Sequence, residues 1–185
     1  MNQNSLLQQL RQITAPLHER IEQKNPARAI LDHSIGLEAY KQLLLQNYAA
    51  YSRLEPGIAV VLPFFKADKA ARLYRDLVAL NITPQPEPDE FEINSVAEAF
   101  GAAYVLEGSA LGGMLIAKHL SQCAQLKALP SQHFFSGDKA SLAPWKLFQQ
   151  ELAVRDFNEP QTAELLSKAR ETFLFFERTF EVQIV

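Results

Sequence analysis

Residues 104–116 read YVLEGSALGGMLI and place three glycines, Gly108, Gly112 and Gly113, inside an otherwise apolar helical segment. A glycine in a helix interior costs roughly 1 kcal/mol relative to alanine, so three of them need a compensating reason. Gly101, Gly108 and Gly112 are seven and four residues apart, and at about 3.6 residues per turn they share one helix face. A face without side chains lets the backbone approach either a second helix or a flat ligand closely. This segment alone leaves both interpretations open.

The rest of the sequence predicts an all-α fold that forms a single domain over residues 1–185. Only 7 of the 185 residues are glycine, and no run alternates with a period of two, so we predict no sheet. Apolar residues instead recur at helical spacing. The predicted helices span residues 4–23, 37 into the fifties with a bend or stop at 55–57, 68–80, 96–126, 141–154 and 159 to near the C-terminal end.

Local signals indicate where helices begin and where they are interrupted. Ser95-x-x-Glu98 fits a capping box at the start of the glycine-containing helix. Asn158 opens the last helix, and Pro16 should kink or restart the first one because proline removes a backbone hydrogen bond. The predicted connections are residues 83–89, which are rich in proline and extended, and residues 130–138.

Composition and charge exclude several classes of protein. The formal net charge is −3 and no run of lysine or arginine is longer than a pair, which argues against nucleic acid as a partner. No apolar segment reaches about 18 residues, so we predict no membrane span. The N-terminal residues lack the basic start and apolar run of a signal peptide. Cys123 is the only cysteine, so no internal disulfide forms, which fits the reducing cytoplasm.

A second signal lies near the N-terminal end, in residues 10–22, which read LRQITAPLHERIE. On the predicted helix, His18 has Glu22 one turn later and Arg11 two turns earlier on the same face. Neutral imidazole is a good iron ligand, and a metal-bound histidine usually donates its other ring N–H to a carboxylate or a carbonyl. Glu22 meets that requirement, and Arg11 would lie where an anionic edge of a ligand is held. Taken alone, the segment is more simply an ordinary His–Glu pair on a solvated helix.

The two signals together carry a resemblance. Thr14-x-x-x-His18-x-x-x-Glu22, followed in mid-chain by Leu-Glu-Gly-Ser-x-Leu-Gly-Gly, resembles the haem oxygenase family. The likeness covers most of the chain and is closest to bacterial biliverdin-forming members, including those paired with phytochromes. It implies a multi-helical bundle in which haem b, both substrate and cofactor, lies between two helices. The implied reaction is the oxidative cleavage of haem to biliverdin, carbon monoxide and ferrous iron by O2.

The resemblance also assigns roles to individual residues. His18 matches the proximal iron ligand of the family, and Glu22 matches the acidic partner that orients it. The segment from Gly108 to Gly113 matches the kinked distal helix, whose backbone leaves room above the iron. The implied catalytic residues are Gly108, Ser109 and Gly112, and the implied haem-binding residues are Arg11, Glu22, Tyr104, Gly113 and Lys146, of which Arg11, Tyr104 and Lys146 would face the propionates.

One position departs from the animal-type members of the family. They have a distal aspartate that organises water and protons, whereas this chain has Ser109, which can hydrogen-bond a water but supplies no charge. This difference keeps an alternative open, a non-catalytic haem-binding or haem-delivery protein on the same fold. For the enzyme, the expected partners are O2, an external reductase or ferredoxin that supplies electrons, and a phytochrome that receives biliverdin.

The other three histidines are weaker candidates for ligands. His33 and His133 lie in segments predicted as loops, so we expect them to face solvent. His119 follows the glycine segment on the same predicted helix and is the one further histidine that would be able to approach a ligand there. None of the four is preceded by glutamate at the Glu-x-x-His spacing that a di-iron site in a helical bundle uses.

Overall fold

The all-α prediction is confirmed by a computed structural model, which describes residues 3–24, 26–85 and 91–183. The described residues contain no strand. The prediction that residues 1–185 form a single domain stays a prediction. The α-helices are α1 (Gln3–Lys24), α2 (Arg28–Leu31), α3 (Leu37–Val61), α4 (Lys69–Ala79), α5 (Val96–Leu120), α6 (Ala143–Ala153) and α7 (Glu159–Glu181), with 3-10 turns at Ala124–Leu126 and Lys139–Leu142.

The predicted caps of α5 and α7 are present. Ser95 Oγ accepts the backbone N–H of Glu98 at 3.1 Å, while the Glu98 carboxylate accepts the N–H of Asn94 at 2.7 Å. The capping-box motif predicts that the Glu98 carboxylate accepts the N–H of Ser95, but it accepts the N–H of the preceding residue instead. At α7 the box is complete, because Asn158 and Gln161 each accept the other's backbone N–H, at 2.9 and 3.0 Å.

Two prolines that we expected to interrupt helices do not end them. α1 continues through Pro16 to Lys24, and α3 continues through Pro56 to Val61. Buried leucines and isoleucines lie close to each proline, so tertiary packing outweighs the hydrogen bond that each proline removes. These residues are Leu10 and Leu17 in α1 and Leu54 and Ile58 in α3.

Two other boundaries also differ from the sequence prediction. α5 ends at Leu120 rather than near residue 126, and residues 124–126 form a separate 3-10 turn. α6 begins at Ala143, because the residues before it, Lys139–Leu142, form another 3-10 turn. Residues 83–85 and 130–138 are free of α-helix as predicted, and residues 86–89 of the predicted extended segment lie outside the described residues.

α7 holds the bundle together, because α5 and α1 both pack along it and α3 joins it from a third side. The crossing of α5 on α7 is tight at Gly101. A Cβ placed there would lie 2.2 Å from the carbonyl oxygen of Leu165 and 3.0 Å from the backbone nitrogen of Ala169. Close helix packing therefore explains why residue 101 is a glycine.

α5 is more apolar than the sequence prediction allowed. It is long and apolar enough to cross a membrane by length and composition alone, contrary to our expectation of no such segment. Core helices of soluble proteins pass the same test, and most of the first half of α5 is buried inside the bundle. The helix runs without a break through Gly108 and Gly113, and a kink in it stays a prediction.

We predict that Gly101→Ala and Gly112→Ala have opposite effects on stability. A methyl group at Gly101 meets backbone atoms that cannot turn aside, so the free energy of unfolding should fall by about 2–3 kcal/mol. Position 112 has no atom within 4 Å of the added carbon, so Gly112→Ala should raise it by up to about 1 kcal/mol. Urea denaturation of the ligand-free protein measures both. Equal effects at the two positions would contradict this division of the glycine face.

Candidate functional site

α1 and α5 touch through a pair of hydroxyl groups. Thr14 Oγ1 donates to the carbonyl oxygen of Leu10 at 2.7 Å, and the Tyr104 hydroxyl lies 3.4 Å from the same Thr14 oxygen. Because Thr14 has one hydroxyl proton and donates it to Leu10, Tyr104 is the donor to Thr14. This contact fixes the distance between the two helices at one point.

α1 and α5 both pack along α7, and the two helices run in the same direction. On both helices the partner residues on α7 advance as the helix itself advances. The pairs are Ser95–Glu164 and Gly101–Ala169 for α5, and His18–Phe173 and Arg20–Glu177 for α1. His18 lies one turn beyond Thr14 and Gly108 lies one turn beyond Tyr104, so both follow the contact on the faces that meet there. They therefore flank one cleft, which we call the α1–α5 cleft.

His18 presents its imidazole to this cleft. Its side chain is 61% exposed, and its Nδ1 lies 3.4 Å from a carboxylate oxygen of Glu22. The ring of Phe173 on α7 packs against it edge to face, with the centroids 6.1 Å apart. Because Nδ1 faces Glu22, Nε2 is the nitrogen left for a ligand in the cleft, and the carboxylate favours the tautomer that keeps Nε2 unprotonated.

The glycine segment forms the opposite wall, and much of it is open. A Cβ at Gly112 or Gly113 would meet nothing within 4 Å, and one at Gly108 would meet only Trp145 of α6, at 3.8 Å. Leu111 and Leu115 on the same stretch of α5 are 56% and 49% exposed. Helix packing, which explains Gly101, does not explain these three glycines. A bare apolar wall opposite an imidazole fits a flat, apolar ligand with a metal centre, so the residues present suit haem.

Ser109 belongs to a short chain of hydroxyl groups beside this wall. Its Oγ donates to the carbonyl oxygen of Leu106 at 2.7 Å and lies 2.9 Å from the hydroxyl of Tyr51 on α3. The single proton of Ser109 is donated to Leu106, so Tyr51 donates to Ser109. Tyr51 is buried against the rings of Phe134 and Phe176, and burial raises its pKa, which keeps the phenol protonated.

The remaining residues expected to bind haem lie around the cleft with few contacts. Arg11 on α1 and Lys146 on α6 are exposed. Tyr104 is half-buried between the hydroxyl of Thr14 and the ring of Trp145, whose centroid is 6.0 Å away. The contact of any of these three with a propionate stays a prediction.

His119 does not enter the cleft. Its Nδ1 hydrogen-bonds Nε2 of His33 at 2.9 Å, at the end of α5 away from Gly108. His33 and His133 are exposed, as expected, and His33 has a left-handed backbone with φ of 54°. Cys123 is buried beside these residues, and burial raises the pKa of its thiol, which makes it a poor nucleophile.

Sequence reasoning missed several residues that support the site. Arg20, two positions after His18, binds Glu177 of α7 with both Nε and Nη2, and this hydrogen bonding raises the pKa of Arg20. Tyr51 was also missed, although its aromatic ring was visible as a core residue of α3. Nothing local in the sequence pairs Arg20 with Glu177 or Tyr51 with Ser109, because 157 and 58 residues separate them.

Comparisons with known proteins give the family and the fold of the chain. The family model described as "Heme oxygenase" matches residues 4–182. No curated protein matches the chain. Among solved structures, the chain is similar to the NO- and CO-bound heme oxygenase from Neisseria meningitidis, with a TM-score of 0.74 and 18% identity over 95% of this chain and 90% of that one. At that identity the likeness shows the fold, which is the expected haem oxygenase fold.

We predict that Arg20→Met loosens the half of α1 that carries His18. The side chain holds α1 to α7 through two parallel hydrogen bonds, and its loss should speed amide hydrogen exchange around residues 14–22 while the melting temperature changes little. Hydrogen exchange read by mass spectrometry measures this. Arg170→Met, an exposed position on α7, is the control and should leave α1 unchanged. Unaltered exchange in Arg20→Met would show that Arg20 does not position the helix.

Proposed function

The chain belongs to the haem oxygenase family, and on that basis we propose that it cleaves haem oxidatively to biliverdin, carbon monoxide and ferrous iron. Family and fold support haem degradation in general. The observation that carries the finer proposal is the α1–α5 cleft, where the exposed imidazole of His18 lies opposite a wall from which three glycines remove the side chains. Bound haem supplies both the iron that activates O2 and the porphyrin ring that is oxidised.

His18 binds the iron through Nε2 in this proposal. Glu22, whose carboxylate oxygen lies 3.4 Å from Nδ1, would accept the Nδ1–H of the bound histidine, orient the ring and make the imidazole a better donor. Phe173 limits how far the ring can tilt because it packs on the ring edge. A neutral histidine ligand, unlike a thiolate, does not push electron density towards O–O cleavage of the P450 kind.

Gly108, Gly112 and Gly113 keep the other face of the cleft free of side chains. This would let the backbone of α5 approach a bound porphyrin and would leave space there for O2 and water. Ser109 contributes its hydroxyl group beside that space. Its proton can turn from the carbonyl oxygen of Leu106 towards a water in the cleft, because Tyr51 continues to donate to the serine oxygen.

Arg11, Lys146 and Tyr104 are the proposed partners of the haem propionates. Arginine and lysine form charge-assisted hydrogen bonds with carboxylates, and such contacts fix the rotation of haem in its plane. That rotation would decide which biliverdin isomer forms. Arg11 lies on α1, Tyr104 on α5 and Lys146 on α6, so the three would hold the haem from different helices.

Electrons must come from outside the chain. Its single cysteine cannot hold an iron–sulfur cluster on its own, and it is buried. We therefore propose an external reductase or ferredoxin as the electron donor, a cytoplasmic location, and a phytochrome as one destination for the biliverdin.

A haem carrier is the second candidate function, and Ser109 favours it. The side chain of Ser109 is an uncharged hydroxyl, so this position holds no ionised group to organise proton delivery. A carrier would need His18 and the open cleft but no turnover.

An absorption series distinguishes the two functions. Purified protein is mixed with equimolar ferric haem, then given reductant and air with catalase present. A Soret band that forms and then decays into a biliverdin spectrum supports the enzyme. A Soret band that persists under the same conditions supports the carrier, and no Soret change in the first step contradicts both.

We predict that His18→Ala stops turnover and changes the spectrum of the bound haem, because the iron loses its protein ligand. Glu22→Gln should keep the haem bound while lowering affinity by about 10-fold to 100-fold, as is typical when the partner of a metal-bound histidine is altered. His133→Ala, at an exposed position, is the control. Haem titrations followed at the Soret band measure all three. An unchanged spectrum in His18→Ala would refute the ligand assignment.

A further inference from the structure

Two histidines that are far apart in the sequence meet at the end of α5 that lies away from Gly108. Nε2 of His33 lies 2.9 Å from Nδ1 of His119, although 86 residues separate the two positions. The ring planes are 27° apart and the ring centroids are 5.1 Å apart. Because the centroids are much farther apart than the two nitrogens, the rings meet nitrogen to nitrogen at their edges.

The turn that follows α2 holds the backbone of His33 in place. The His33 N–H donates to the carbonyl oxygen of Ile30 at 3.0 Å, and the N–H groups of Ser34 and Ile35 both donate to that of Ala29, at 2.9 and 3.1 Å. Ile30 and Ile35 are buried, so the turn is fixed to the core. His33 has the left-handed φ of 54° that this turn requires, a conformation uncommon for residues other than glycine and asparagine.

The last turn of α5 holds the backbone of His119. The residue precedes the buried Leu120, and its carbonyl oxygen accepts the N–H of Gln122 at 3.0 Å. The thiol of Cys123 is buried and lies 3.6 Å from the same carbonyl oxygen, so it is directed at the backbone. The imidazoles, in contrast, reach the surface, because His33 is exposed and His119 is half-buried. Two fixed backbones therefore bring two accessible imidazoles together.

The distance between the two nitrogens suits a metal ion as well as a hydrogen bond. A neutral imidazole has one N–H and one bare nitrogen, so one ring of the pair donates and the other accepts. An ion that replaces this proton would bind one nitrogen of each ring, once the accessible rings turn their lone pairs towards it. With metal–nitrogen bonds of about 2.05 Å, the separation of 2.9 Å gives an N–metal–N angle of about 90°. A tetrahedral ion would need nitrogens about 3.3 Å apart.

We propose that His33 Nε2 and His119 Nδ1 form a site for a divalent transition-metal ion with octahedral or tetragonal coordination, such as Ni²⁺ or Cu²⁺. Imidazole and water ligands with angles near 90° are typical of these ions. Residues 3–24, 26–85 and 91–183 contain no group of three or more His, Cys, Asp or Glu side chains placed to hold a metal, so water completes the coordination. The inference does not depend on the proposed function, because no residue of the α1–α5 cleft takes part.

An ion in this site would join the turn after α2 to the last turn of α5. The two histidines are close together only in the folded chain, so an ion that binds both of them stabilises the folded state. An ion bound to a single surface histidine would bind the unfolded chain equally well and would leave the stability unchanged. A change in melting temperature therefore distinguishes the two-histidine site from adventitious binding.

The experiment uses the full chain without a histidine tag, freed of metals by a chelator and then mixed with Ni²⁺ at neutral pH. We expect excess Ni²⁺ to raise the melting temperature by about 2–6 °C. Mg²⁺, which prefers oxygen ligands, should have no effect. His33→Asn, which tolerates the left-handed backbone, and His119→Gln, which suits a helix, should each remove the rise. His18→Gln and His133→Asn also remove one histidine each and are the controls that should keep it.

A rise that is lost in both His33→Asn and His119→Gln and kept in both controls supports the proposal. No rise in the unaltered protein overturns it, as does a rise that survives in either variant of the pair or is lost in a control. Pulsed EPR of the Cu²⁺ form of the unaltered protein counts the bound imidazoles and decides the matter if a variant does not fold. We expect two, and fewer than two overturns the proposal. None of these outcomes involves haem, so the Soret measurements test the proposed function separately.

Discussion

The close crossing of α5 on α7 at Gly101 is the constraint on which the rest of the structure depends. A backbone carbonyl of α7 lies where a side chain would otherwise be, so α5 packs closely against α7. α1 packs on the same helix and is tied to α5 by the hydroxyls of Thr14 and Tyr104. These contacts hold α1 and α5 together at one end. One turn further along, the facing sides of the two helices carry His18 and Gly108, and the space between them stays open.

α5 consequently has two different sides over the same few residues. Its front carries three glycines and exposed leucines and suits an apolar ligand. Glu107, the residue before Gly108, is instead buried and bound to Lys69 inside the protein. A flat, apolar ligand suits the first side, whereas the second side is packed inside the protein.

The sequence predicts the helices well because the signals for them are local. Periodic apolar residues and the caps at Ser95 and Asn158 act within a few positions, and His18 with Glu22 is a one-turn pattern. The prolines at 16 and 56 misled the prediction because tertiary packing outweighs a local preference. The sequence also could not separate the glycines by role. Gly101 and Gly112 look alike in sequence, and only the neighbouring helix shows that the first is packed and the second is open. Arg20–Glu177 and Lys69–Glu107 join distant positions, and no local pattern reports such pairs.

The uneven burial along α5 has a consequence for how the protein moves. The first half of the helix is locked in the bundle, whereas the half that contains Gly112 and Gly113 has weaker helix formers and fewer neighbours. Local opening starts where backbone hydrogen bonds are least covered. Without a ligand, α5 therefore combines a rigid first half with a second half that opens readily. A ligand that covers Leu111 and Leu115 would order this second half. A ligand in the cleft would therefore slow proteolysis of the chain, because it lowers the population of the opened state that proteases cut.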